Sequence, residues 1–82
     1  MSSDDIFKII ISNTCEVIPE LKDHKFQRSD RLNDLGANSI DRAEIVTMTL
    51  EALSLKIPRI ELAGVSNMGE LADMLHEKLQ SQ

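Results

Sequence analysis

Apolar residues recur at helical spacing in three separate stretches of this 82-residue chain, and no stretch alternates convincingly with period two. Ile6, Ile10, Val17 and Leu21 form the first stripe, widened by Phe7, Ile11 and Ile18. Ile40, Ala43, Val46, Leu50 and Leu53 form the second, and Met68, Leu71, Leu75 and Leu79 the third. Side chains three and four apart share one helix face, so each stripe must be covered by a neighbour. The fold class this predicts is all-α: a four-helix bundle with three main helices, a short third helix and a long first loop.

Local signals set the boundaries. Ser3 is placed to cap the first helix, with Asp4 and Asp5 at the positive end of its dipole. Pro19 clashes with a continuing helix and stops it near Ile18, although Leu21 extends the apolar face. Residues 20–38 show no sustained period, which is long for a connection. Phe26, Leu32 and Leu35 are its expected anchors. Within it "SDRLNDLG" reads as one tight turn, capped by Ser29 or Asp30 and stopped by Gly36. The second helix is expected over 39–54. An extended piece then ends at Pro58, followed by one short helical turn up to Gly64. The last helix opens at Ser66 or Asn67, where Glu70 has capping-box spacing from Asn67.

Composition narrows the function. A chain of this length folds as one domain with a thin core and little room for a deep catalytic pocket. With Phe7 and Phe26 the sole aromatic residues, that core is aliphatic. Fourteen acidic against nine basic residues give a net charge of −5. Nucleic-acid binding needs a basic face to neutralise phosphates, so that class is set aside. A single cysteine, Cys15, forms no internal disulfide and suits a reducing compartment. The N-terminus has acids before its apolar run, the reverse of a signal peptide, and no run reaches the roughly 20 apolar residues of a spanning helix. A cytoplasmic location is expected.

Catalytic constellations are not legible. Nucleophilic catalysis needs a base within reach of a serine or cysteine. His24 in the long loop and His76 on the last helix share no motif with Ser39 or Cys15, and both read as solvated surface residues. One cysteine and two distant histidines give no zinc-ligand spacing, and Asp30, Asp34 and Asn38 do not fit a calcium loop. Gly36, Gly64 and Gly69 are too scattered for a phosphate-cradling loop. Neither a metal nor a catalytic residue is expected.

What remains is "LGANSIDRAEIV", residues 35–46, with a hydroxyl at the mouth of a helix. By local chemistry alone Ser39 reads first as a helix cap. A second reading is a covalent attachment point. Asn38 competes for the cap, with Asp41 three residues on, which frees the Ser39 hydroxyl. Gly36 and Ala37 leave little bulk in front of it, and a phosphate ester there would sit at the positive helix end.

The stretch "DRLNDLGANSIDRAEIV" resembles the acyl carrier protein family, whose signature is a leucine-glycine pair followed by aspartate-serine-leucine at the start of the second helix. Leu35 and Gly36 match the pair, Ser39 the serine, and Ile40 takes the place of the leucine as a core contact. Asn38 stands where the family usually has aspartate. The resemblance implies one acyl carrier domain over residues 1–82, with 4′-phosphopantetheine joined to Ser39 through a phosphodiester and acyl groups held as thioesters. It implies a non-catalytic carrier that tucks its acyl chain between the helices, with Met48, Met68 and Met74 as candidate lining. Partner docking would fall on the second helix, through the charges of Asp41 and Glu44 and apolar contacts from Ile45 and Met48. Arg42 and Arg59 would tune partner choice. "GANSIDRAE" looks most like free-standing polyketide carriers of the donor type in β-branching cassettes, which pass an acetyl unit to an enzyme resembling 3-hydroxy-3-methylglutaryl synthase. The implied partners are a phosphopantetheinyl transferase, an acyltransferase, a decarboxylating ketosynthase-like enzyme and that synthase, with the chain a monomer. The alternatives are a carrier for fatty acid or nonribosomal peptide synthesis, or a small acidic helical adaptor without a prosthetic group.

Overall fold

In the computed structural model, which describes residues 1–81, three α-helices and two short 3-10 turns follow one another. α1 spans Ser3–Val17, α2 Ser39–Ala52 and α3 Met68–Gln80, and the 3-10 turns cover Pro19–Leu21 and Arg59–Leu62. No strand occurs among the described residues. α1 packs against both α2 and α3. Ile6 and Ile10 of α1 meet Ile45 and Leu50 of α2 and Met68, Leu71, Ala72 and Leu75 of α3 in a buried aliphatic core. Phe26, Leu32 and Leu35 pack against it from the long loop, as expected of anchors. The short third helix is the second 3-10 turn. Its Glu61 carboxylate pairs with Lys78 of α3 at 2.9 Å.

The helix ends depart from the sequence reading in instructive ways. Ser2, not Ser3, caps α1: its hydroxyl accepts from the Asp5 amide, and the Asp5 carboxylate accepts from the Ser2 amide. Ser3 is thereby free to donate its hydroxyl to Asp73 on α3. α2 stops at Ala52, two residues before the expected end, because Ser54 takes a left-handed conformation with φ 52°. There Ser54 donates to Glu51 O and Leu55 to Leu50 O, the paired bonds that close a helix C-terminus. At α3 Asn67 caps through the Glu70 amide, but the Glu70 carboxylate reaches past it to the amide and hydroxyl of Ser66. Those Ser66 bonds hold the Glu70 carboxyl below its ordinary range.

The long first loop is fastened at the start of α3. The first amides of a helix have no partner in their own helix. Two of those on α3 are taken by the loop: Met68 N donates to Asp30 O at 2.9 Å and Gly69 N to Arg28 O at 2.8 Å. Asp30 also closes an upstream turn by accepting from the Gln27 amide, so neither it nor Ser29 caps the turn at residues 32–36 as predicted. His24, read as a solvated residue, pairs with the same Asp30 carboxylate at 3.0 Å and lies edge-on to Phe26. The Gln27 amide, followed by His24, holds the Asp30 carboxyl below its usual value.

Arg28 completes the fastening. Its guanidinium lies 5.5 Å from the Phe7 ring centroid and bonds Asp4 and Ser3 of α1 and Gly69 O and Asp73 of α3. Exposed ion pairs of this sort contribute under about 1 kcal/mol each, so the buried backbone pairing is the larger part of the hold. Gly69 permits it. A Cβ there would lie 2.7 Å from Arg28 Cβ and 2.9 Å from Arg28 O, closer than packed atoms allow. Gly69→Ala should therefore destabilise by about 1–2 kcal/mol even though alanine favours helix by up to about 1 kcal/mol. Urea unfolding followed by circular dichroism measures it, and a neutral or stabilised variant would show that the loop does not need this close approach.

Candidate functional site

The turn before α2 leads to an exposed serine at the first position of the helix. Leu32–Leu35 make a single helical turn that ends at Gly36, whose φ of +99° favours glycine. Ala37 N donates to Leu32 O and Gly36 N to Asn33 O, which close the turn from within. Ala37 is buried, and a Cβ on Gly36 would meet nothing within 4 Å. The chain thus emerges at α2 with open space on its approach.

Asn38 then caps α2. Its Oδ1 accepts from the Asp41 amide at 2.8 Å, and the Asp41 carboxylate accepts from the Asn38 amide at 3.2 Å. The cap duty falls wholly on this pair. Ser39, the first residue of the helix, is exposed, and its hydroxyl has no hydrogen-bond partner among the described residues. An asparagine oxygen does here what an aspartate would, so the departure from the usual family residue leaves the cap intact.

The α2 residues singled out in the sequence are sorted by the helix register. Ile45 is fully buried, so it belongs to the core and offers no contact to a partner. Ile40, expected in the core, is 74% exposed. The reason is a one-residue offset between apolar pattern and buried face: Ile45, Thr49, Leu50 and Leu53 point inward, with Val46 and Ala43 at the margin. Thr49 is accommodated because its hydroxyl donates to Ile45 O and accepts from Asn13 of α1. Ile40, Glu44, Thr47 and Glu51 form the outward row, spaced four, three and four apart, and all are exposed. Met48 is half-buried and Asp41 is engaged in the cap. Arg59 is exposed on the second 3-10 turn beside Ile60, which is 77% exposed and was not singled out by the sequence.

Arg42 has turned inward. It is half-buried, and its Nη1 donates to Ala37 O at 2.8 Å. It sits at the rim of an open cavity of about 390 Å³, together with Arg31, Asn33, Ser66 and Asn67. The apolar lining comes from Leu32, Val46, Leu62, Val65, Met68 and Leu71. Of the three methionines considered as cargo lining, Met68 alone belongs to this cavity. Pattern reading missed the cavity because its wall is shared by the loop, α2, the second 3-10 turn and α3, four segments distant in sequence.

The geometry fits a phosphate-ester attachment: a free, exposed hydroxyl at a helix N-terminus, reached past small residues. Among the described residues no three His, Cys, Asp or Glu side chains gather as a metal site, and no helix is long and apolar enough to cross a membrane.

Comparison with known proteins points the same way. The family described as "Phosphopantetheine attachment site" matches residues 10–75. A Bacillus subtilis (strain 168) protein, "Polyketide biosynthesis acyl-carrier-protein AcpK", is 60% identical over 81 residues, covering 99% of each chain. An acyl carrier protein of Guillardia theta is 28% identical over 79 residues, 96% of this chain and 98% of its own. Among solved structures, "Crystal Structure of the Curacin Biosynthetic Pathway HMG Synthase in Complex with Acetyl Donor-ACP" matches with a TM-score of 0.91 and 51% identity, over 94% of this chain and 99% of that one.

Removing the cap tests the division of labour between Asn38 and Ser39. Asn38→Ala should cost about 1 kcal/mol of stability by urea unfolding, whereas Asn38→Asp should hold or slightly exceed wild-type stability. If Asn38→Ala matches the wild type, Asn38 is not the working cap.

Proposed function

Because the chain belongs to the phosphopantetheine-attachment family of acyl carrier proteins, we propose that Ser39 is its attachment residue and that it donates acetyl units for polyketide β-branching. The observation that carries the first part is the free Ser39 hydroxyl beside a cap supplied by Asn38. The second part rests on likeness to AcpK and to the acetyl-donor carrier bound to its synthase. The 4′-phosphopantetheine arm supplies a terminal thiol that holds an acyl group as a thioester.

The chain's own residues perform the remaining tasks. Asn38 and Asp41 fix the first turn of α2, and its unpaired amides favour a phosphate ester on Ser39. Gly36 and Ala37 leave a transferase room to reach the hydroxyl. The outward row from Ile40 to Glu51 forms the docking face, with Arg59 and Ile60 flanking it on the second 3-10 turn. Ile40 takes the apolar role first assigned to Ile45. Exposed charges such as Glu44 tune encounter rate and partner choice more than affinity, which suits a carrier that visits enzymes in turn. The partners proposed are a phosphopantetheinyl transferase, an acyltransferase, a decarboxylating ketosynthase-like enzyme and a 3-hydroxy-3-methylglutaryl synthase-like enzyme. The protein works as a cytoplasmic monomer without catalysis of its own.

Incubation with a phosphopantetheinyl transferase and coenzyme A should add one phosphopantetheine by intact mass spectrometry, and Ser39→Ala should add none. The acetylated protein should then lose its acetyl group to the synthase in the presence of a β-ketoacyl carrier. Modification of Ser39→Ala would refute the attachment residue, and an acetyl group left untouched by the synthase would refute the donor role.

A further inference from the structure

We propose that Arg42 is a positioning residue for the loading of Ser39, acting through the backbone that leads into α2 and not by contact with the incoming enzyme; this rests on Ser39 as the attachment residue. The peptide plane joining Ala37 to Asn38 is gripped at both edges by neighbouring residues of opposite charge. Its carbonyl, Ala37 O, accepts from Arg42 Nη1 at 2.8 Å, and its amide, Asn38 N, donates to the Asp41 carboxylate at 3.2 Å. The next plane is held by Arg42 as well, because the Arg42 amide donates to Asn38 O at 2.9 Å. Arg42 thus engages the two successive carbonyls immediately before Ser39. Side chains on a helix lean toward its N-terminus, which lets a first-turn arginine reach back past the cap.

Ala37 is buried, and no backbone amide reaches its carbonyl among the described residues. A buried carbonyl without a donor is costly, so without Arg42 this plane turns to find another partner. Asp41 alone holds one edge, and a plane held at one edge can rotate. Arg42 is half-buried and makes no ion pair among the described residues, so its one hydrogen bond there is this charge-assisted strut. The Ser39 hydroxyl makes no hydrogen bond of its own among the described residues, so its direction is set by the backbone behind it. Direction matters to the chemistry of loading. The Ser39 oxygen attacks the phosphorus of coenzyme A that bears the pantetheine arm, gives its proton to a base of the transferase and displaces adenosine 3′,5′-bisphosphate. A misdirected oxygen slows that displacement while leaving the encounter with the transferase intact.

Steady-state loading of the full chain by a phosphopantetheinyl transferase with coenzyme A, read by intact mass, tests this. Arg42→Met keeps the stem and removes the N–H donors. Citrulline at position 42, introduced by chemical synthesis, keeps the donors and removes the charge. In Arg42→Met, kcat should fall roughly tenfold with little change in KM for the carrier. The carbonyl carbon signal of Ala37 in the apo protein should move upfield in the same variant, with no transferase present. Citrulline should return both kcat and that signal close to wild type. A raised KM shared by Arg42→Met and the citrulline protein would show that the transferase reads the charge, and would overturn the proposal. So would an unchanged kcat in Arg42→Met, even where urea unfolding finds that variant less stable. If the wild type gains no mass, or Ser39→Ala gains it, the attachment reading itself falls and takes the proposal with it.

Discussion

The first amides of α3 lack carbonyls in their own helix, and the loop joining α1 to α2 supplies two of them. Much of the architecture follows from that exchange. The loop has no regular structure of its own to satisfy its backbone, and α3 has open donors at its start, so each completes the other. Gly69 lets the two backbones approach, and Arg28 spreads the junction to α1 through Asp4 and Ser3. The Ser3 hydroxyl, together with Arg28, holds the Asp73 carboxyl below its ordinary range, so this polar seam keeps its charge further into acid solution. A chain with so thin a core gains its long loop as structure and not as slack.

The site at the mouth of α2 rests on this frame. Leu32 and Leu35 are packed against the core, the turn they make ends on Gly36, and Ala37 is buried. The direction of entry into α2 is thereby set before the helix begins. Two demands meet at that point: the helix needs a cap, and the attachment proposed for Ser39 needs an unencumbered hydroxyl. Adjacent residues divide them, Asn38 taking the first and Ser39 left open for the second. A neutral cap also removes a negative charge from beside the proposed phosphodiester.

The bundle, its helix order and the capped start of α2 were legible because they depend on local rules: periodicity, proline and capping residues. The inward face of α2 was not. Ile40, Ile45 and Val46 offer two apolar faces to a periodicity count, and tertiary packing chose the one containing Ile45 and Thr49. Thr49 is polar by type yet fully buried, because a helix carbonyl and Asn13 satisfy its hydroxyl. Arg28 and Gly69 were also silent in sequence. Their meaning comes from a contact 41 residues apart, and no local pattern encodes such a distance. Arg42 looked like a surface charge for the same reason: its partner, the Ala37 carbonyl, becomes available only after the turn at Gly36 has formed.

If the loop is held as its hydrogen bonds to α3 imply, it and the three helices form one cooperative unit, which presents Ser39 in a fixed frame. Native-state amide hydrogen exchange of the apo protein tests it most directly. The Met68 and Gly69 amides, which donate to the loop carbonyls, should exchange with the same free energy as the Ile10 amide in the core of α1. If those two amides exchange through a low-energy local opening while Ile10 stays protected, the loop is an independent flap and the frame proposed for Ser39 does not exist.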